Sequence, residues 1–191
     1  MRITIPTMLT MARIVMIPVL VVCFYLPYKW ANVAAAGLFA LASITDWLDG
    51  WIARRYHQYS AFGAFLDPVA DKLMVAVVLL IIVQKHPTLW MALWAAVIIG
   101  REIAVSALRE WMAELGQRAK VKVAAIGKFK TVAQMVALTG LLYEDNFFGI
   151  PVFKISDYLL AVAALLTLWS GLAYLMAAWP TLTEGEGHPN S

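Results

Sequence analysis

Long apolar runs separated by short polar stretches divide the chain into six segments. Each approaches the roughly 20 residues that a helix needs to cross a hydrocarbon core. The first runs from about Thr7 to Leu26 and ends at the turn Pro27-Tyr28-Lys29-Trp30. The second covers Ala31 to Tyr56, the third Ala64 to Val83 and the fourth Thr88 to Leu115. The fifth covers Gly127 to Tyr143 and the sixth Asp157 to Trp179. Segments two, three and four are charged at one end only, as expected of helices that extend into the interface or into a polar cavity. The pattern predicts an all-α fold, a polytopic bundle of six transmembrane helices with a cytoplasm-facing polar cavity. It forms one catalytic domain over residues 1–180, followed by a short polar tail at 181–191. The first segment is too long and too uniformly apolar for a cleaved signal peptide, so it is expected to remain as a span.

Composition supports a membrane class. The 191 residues are 62% hydrophobic and 14% charged, against about 25% charged in a soluble domain. The net charge of +3 is too small an excess to point to nucleic acid. A lone cysteine, Cys23, excludes an internal disulfide or a cysteine-based metal site and is expected to be a small buried hydrophobe.

The placement of positive charge sets orientation. The connection between segments two and three carries Arg54 and Arg55. The region between four and five carries Arg109, Arg118, Lys120, Lys122, Lys128 and Lys130. The alternate connections hold only Lys29, Lys85 and Lys154. The basic side is expected in the cytoplasm with both termini, although the tail has no Lys or Arg to vote for it. The tryptophans, Trp30, Trp90 and Trp179 among them, suit interfacial belts. His57, His86 and His188 read as plain surface.

Against this background, Asp46, Asp49, Asp67 and Asp71 are the only acidic residues in the first hundred positions. Spacings of three and four place each pair on one helix face. The polar connection around His57 to Ser60 lets the two helices pack antiparallel, so the four carboxylates converge. Acidic groups at membrane depth are retained where they pair, bind ions or do chemistry. Four anions at close quarters stay ionised only if cations neutralise them. An oxygen-only donor set favours Mg²⁺, Mn²⁺ or Ca²⁺ over zinc, and four carboxylates suit two metals about 3.5–4 Å apart. Gly50 and Gly63 beside them fit either close helix packing or close approach of a phosphorylated ligand. Arg54 is able to hold a diphosphate bidentately, or to anchor the helix at the interface together with Arg55. The aspartates also admit a second class of reading, a transit site in a divalent-cation transporter, but their clustering at one face favours a fixed site over a pathway.

The stretch DWLDGWIARRYHQYSAFGAFLDPVAD resembles the signature of the CDP-alcohol phosphatidyltransferase family, Asp-x2-Asp-Gly-x2-Ala-Arg-x8-Gly-x3-Asp-x3-Asp. Asp46, Asp49, Gly50, Ala53, Arg54, Gly63, Asp67 and Asp71 match every fixed position. The resemblance implies a six-helix homodimer that moves a phosphatidyl group from a CDP-linked lipid, CDP-diacylglycerol, to an alcohol and releases CMP. It further implies two divalent ions, Mg²⁺ or Mn²⁺, on Asp46, Asp49, Asp67 and Asp71. Asp71 would be the general base, and Gly50, Ala53, Arg54 and Gly63 would line the CDP-lipid site.

The acceptor is read outside that stretch. Arg101 and Arg109, near two helical turns apart, share a face at the cytoplasmic end of segment four, and Lys128 and Lys130 open segment five on the same membrane side. Such a group of cations suits a second anion, such as a phosphate monoester. Arg101 lies deep enough to require a partner. Adjacent Glu102 is expected to project elsewhere, and Lys72 to serve structure. IPTMLTMARIVMIPV, REIAVSALREWMAELG and GKFKTVAQMVAL resemble the bacterial branch of the family whose acceptor is glycerol 3-phosphate. There Arg101, Arg109, Lys128 and Lys130 match the phosphate-binding positions. Thr10 and Arg13 match the opening motif, in which Thr7 and Met8 stand where Asn or Thr is usual. Other acceptors, among them serine, inositol phosphate or phosphatidylglycerol, are the alternatives. The resemblance implies a bacterial cytoplasmic (inner) membrane enzyme among membrane lipids.

Overall fold

The computed structural model describes residues 4–56, 60–114 and 126–184, without the side chains at 5, 53, 54, 61, 64, 114, 126–129, 177, 178 and 180–184. Arg118, Lys120, Lys122, His57 and His188 lie outside the described residues. Six helices account for almost all of the described chain: α1 (Ile5–Tyr25), α2 (Ala31–Tyr56), α3 (Ala61–Lys85), α4 (Leu89–Glu114), α5 (Ile126–Tyr143) and α6 (Val152–Glu184).

The expected ends hold for α2 and shift elsewhere for local reasons. The third helix starts at Ala61 because the Ser60 hydroxyl accepts from the Gly63 amide at 2.9 Å and caps it. The sixth starts at Val152, earlier than Asp157, directly after the tight turn closed by reciprocal backbone bonds between Phe147 and Ile150. It then continues to Glu184, so its last turn takes in the start of the expected tail.

The helices pack around a ring in the order α1, α2, α5, α6, α4, α3 and back to α1, with α3 also meeting α5 across it. Four of them, over Pro6–Tyr25, Ala31–Ile52, Leu89–Ala113 and Val152–Met176, are long and apolar enough to cross a membrane. The other two are the inner helices. The first half of α3 carries Asp67, Asp71 and Lys72, and α5 is 18 residues long with lysines in its first turn. Together they supply the middle of the core through Met74, Val78, Leu79 and Ile82 of α3 and Ala137, Leu138, Leu141 and Leu142 of α5.

Only 22% of the apolar window of α6 is buried within the protein. Its outer face presents Leu165, Trp169, Leu172 and Met176. An apolar surface of this extent is unsuited to water and suited to lipid, so the protein is an all-α membrane protein. Between helices in lipid, packing rather than water exclusion drives association, and small residues let backbones approach. Gly140 of α5 is the clearest case: a Cβ there would run into the Ser156 hydroxyl and lie 3.2 Å from Val152 Cγ1, both on α6.

At the end away from the aspartates, Glu144 ties three connections together. Its carboxylate accepts from Asn32 Nδ2 at 2.8 Å, Lys85 Nζ at 2.7 Å and His86 Nε2 at 2.7 Å. His86 also packs against the Phe153 ring, so it is part of a clasp and not plain surface. Cys23 is half-buried, not fully inside, because α1 turns that side toward the lipid.

Candidate active site

The first turns of α1 carry Thr7, Thr10 and Arg13 at intervals of three, a polar row on an otherwise apolar helix. All three are buried, and each meets the aspartate helices. The Thr7 hydroxyl lies 2.7 Å from the Ser60 hydroxyl. A Cβ added at Gly63 would sit 2.8 Å from Thr7 Oγ1 and 2.9 Å from Ser60 Oγ. Gly63 therefore lets α1 close onto the start of α3, which is the packing role among its two readings. The Thr10 hydroxyl lies within reach of both Asp67 and the Pro6 carbonyl, 3.0 Å from the latter, and has one hydrogen to give to either acceptor.

Arg13 reaches furthest in and is 2% exposed. Its Nη1 lies 2.7 Å from Asp46 Oδ1 and also contacts Asp71, and its Nη2 lies 2.6 Å from Asp49 Oδ2. Three carboxylates from two helices thus converge on one guanidinium, and the fourth is held by a hydroxyl one turn earlier on α1. Asp49 is almost fully buried, while Asp46 and Asp71 keep 37% and 39% of their side chains exposed. Of the three carboxylates on Arg13, Asp46 and Asp71 keep the more open faces, and Asp67 is likewise half-buried.

Among the described residues, no three acidic, His or Cys groups stand as a metal cluster in their present arrangement. The charge between the carboxylates is supplied by Arg13. The donor chemistry nevertheless fits divalent ions. Two unit charges about 4 Å apart interact by about 4 kcal/mol at an effective dielectric near 20, so this many anions demand more than one positive charge. All donors are oxygen, the set preferred by Mg²⁺ and Mn²⁺. The buried guanidinium marks where that positive charge is required.

Asp46 and Asp71 line one side of a cavity of about 530 Å³. Its other polar walls are Lys72, Glu102, Thr131 and Gln134, and apolar Val69, Leu73 and Ile103 stand at its outer edge. Lys72 donates to Ser106 across the α3–α4 contact, so the expected structural role is joined by a place on the cavity wall.

The basic side of the cavity contains a residue that spacing alone misjudged. Glu102 does not turn away from Arg101: its Oε1 lies 2.6 Å from Arg101 Nη1 and 3.4 Å from Lys130 Nζ on α5. Adjacent residues on a helix project about 100° apart, but both side chains are long enough to fold toward each other, and a buried Arg101 requires the contact. Arg101 Nη2 also donates to the Ser170 hydroxyl of α6 at 3.1 Å. A Cβ on neighbouring Gly171 would lie 3.2 Å from Arg101 Cγ, so the small residue leaves a channel for the arginine stem. Eight positions on, Arg109 lies over the Tyr174 ring at 5.7 Å. Both arginines face α6, as their shared face requires. Ser170, Gly171 and Tyr174 went unnoticed because α6 carries no charge along this stretch; the only trace is a polar spacing of four in an apolar helix.

Gly50 is half-buried beside Asp49. The side chains of Ala53, Arg54 and Lys128 lie outside the described residues. Trp47 and Trp51 point outward, in keeping with a belt.

Comparison with known proteins adds to this geometry. The model of the family described as CDP-alcohol phosphatidyltransferase matches residues 3–180. A Salmonella choleraesuis protein named CDP-diacylglycerol–glycerol-3-phosphate 3-phosphatidyltransferase is 53% identical over 182 residues, which cover 93% of this chain and 96% of the relative. Proteins of the same name from Pseudomonas fluorescens and Shigella flexneri serotype 5b are 55% and 52% identical. The first alignment covers 95% of this chain and 94% of the relative, the second 96% and 100%.

Proposed function

The chain belongs to the CDP-alcohol phosphatidyltransferase family, and from that premise we propose how its charged cavity carries the reaction. The protein is a CDP-diacylglycerol-dependent phosphatidyltransferase that moves the phosphatidyl group to glycerol 3-phosphate, forming phosphatidylglycerophosphate and CMP. The observation that carries the residue-level reading is the single cavity shared by Asp46 and Asp71 on one wall and Glu102, beside Arg101 and Lys130, on the other.

In this reading Asp46, Asp49, Asp67 and Asp71 hold divalent ions, two of Mg²⁺ or Mn²⁺, which neutralise the CDP diphosphate and the leaving CMP when bound. Gly50, Ala53, Arg54 and Gly63 line the CDP end of the donor, with Gly63 acting by letting α1 pack closely. Asp71 accepts the proton of the acceptor hydroxyl as its oxygen bonds to the phosphatidyl phosphorus and the phosphorus–oxygen bond to CMP breaks. Its partial exposure to the cavity supports this role over the buried Asp49. Arg101, Arg109, Lys128 and Lys130 hold the acceptor phosphate, and Thr10 and Arg13 fix the aspartates. The apolar residues at the cavity edge support entry of a lipid donor from the bilayer. The same reading takes the protein as a homodimer in a bacterial inner membrane, with the catalytic domain at 1–180, the cavity on the cytoplasmic side and both termini there.

The direct test is CMP release by purified protein from CDP-diacylglycerol with Mg²⁺ or Mn²⁺ and each of several alcohols. Glycerol 3-phosphate is expected to support release, whereas serine, inositol phosphate and phosphatidylglycerol are not. Release with one of those and none with glycerol 3-phosphate would overturn the acceptor reading. Asp71→Asn is expected to abolish turnover yet still bind CDP-diacylglycerol, and a variant with full turnover would remove Asp71 as base.

A further inference from the structure

Among the described residues, Glu102 is the one acid on the cavity wall that belongs to neither aspartate pair. It lies between two cations from different helices, Arg101 on α4 and Lys130 on α5. The side chains of those cations are 10% and 5% exposed. Two positive charges this deeply buried repel each other and are poorly solvated, so each requires an anion or a dipole. Ser170 gives Arg101 one acceptor. Glu102 gives both a shared one, and among the described residues it is the only acid that either contacts.

The donor count leaves the cations free to do more. An arginine offers five N–H donors and a lysine three. Glu102 and Ser170 engage one terminal nitrogen of Arg101 each, and Arg101 Nε is buried without a partner. A phosphate placed beside Lys130 and Arg101 therefore shares them with Glu102 and need not displace it. Before the phosphate arrives, the carboxylate, itself on the cavity wall, holds the two cations of α4 and α5 together just behind it.

We propose that Glu102 is a positioning residue for the acceptor: it bridges Arg101 and Lys130 so that both are oriented for the acceptor phosphate before it binds. The inference rests on the reading of Arg101 and Lys130 as the acceptor-phosphate groups. Preorganisation of this kind raises affinity by removing the cost of ordering at the moment of binding. It acts on the acceptor and leaves the donor, held by the aspartate side, untouched.

The test is the steady-state kinetics of the full-length enzyme, with KM measured separately for each substrate. Glu102→Gln keeps the shape and removes the charge. Its KM for glycerol 3-phosphate is expected to rise about tenfold, the scale of one charge-assisted hydrogen bond, with kcat and the KM for CDP-diacylglycerol little changed. Glu102→Asp, which keeps a carboxylate one methylene shorter, is expected to fall between this variant and the wild type, and it decides the matter if the glutamine variant does not fold. An unchanged or lowered acceptor KM would mean that Glu102 merely competes with the phosphate, and the proposal fails. A loss spread equally over both substrates would mark a purely structural role, and it fails again. Lys130→Ala separates this inference from its premise. If that variant too leaves the acceptor KM unchanged, the acceptor-site reading is wrong. If it raises KM while both Glu102 variants do not, only the role of Glu102 is wrong.

Discussion

At the scale of single residues, the central fact is that Arg13 stands among the carboxylates expected to bind cations. Its charge was visible in the sequence, but whether it reached inward or bent toward the interface was not, because an arginine six bonds long can do either. The structure places it against Asp46, Asp49 and Asp71. Removing one partner of a buried ionic set costs about 3–5 kcal/mol, since the remaining charges lose their compensation. Arg13→Ala is therefore expected to lower the metal-free melting midpoint in detergent by several degrees, and Mg²⁺ or Mn²⁺ to restore more stability to the variant than it adds to the wild type. Thermal unfolding with and without chelator measures both. Equal metal response in the two proteins would show that the guanidinium and the ions do not answer the same electrostatic demand. Glu102 teaches the opposite lesson. Its projection was inferred from helix geometry alone, yet burial of Arg101 decided its rotamer.

At the scale of helices, the six elements were legible because apolar length and charged punctuation coincide, and α2 starts and stops where that pattern says. The ends that moved are governed by groups that hydropathy does not register: the Ser60 cap on α3 and the Phe147–Ile150 turn before α6. The pairing of helices was less legible, since every helix is apolar around most of its circumference and offers no single stripe to read. Small residues carry that information instead. Gly140 admits Ser156 and Val152 of α6 against the backbone of α5, the helix that carries Lys130 ten positions earlier. Gly140→Leu is expected to separate α5 from α6, lower stability by about 1–3 kcal/mol through overpacking, and reduce activity although the residue lies far from the aspartates. Gly37, which has open space at its Cβ position, provides the control: Gly37→Ala should leave both properties intact. Comparable losses from the two substitutions would mean that the α5–α6 approach is not what Gly140 protects.

Across the whole molecule, charge is divided between two ends. The end with the aspartates carries Arg55, Arg101, Arg109 and Lys130, as well as the sequence positions Arg54 and Lys128. The other end has Lys29, Lys85 and Lys154, and Lys85 is paired with Glu144 at 2.7 Å. Positive charge in short loops is retained on the cytoplasmic side, so the aspartate end is expected there, where a water-soluble phosphate ester is available. Because Cys23 is the only cysteine, a Cys23→Ala background permits a clean test by single replacements. Asn146→Cys, in the exposed turn beyond Glu144, should react with a membrane-impermeant maleimide in intact spheroplasts. Tyr56→Cys, at the exposed end of α2, should react only after the membrane is opened. The reverse labelling would place the aspartates outside. It would also separate the active site from its soluble acceptor, because the clasp at Glu144 and the cavity at Asp71 occupy opposite ends of the same helices α3 and α5 and cannot share a side.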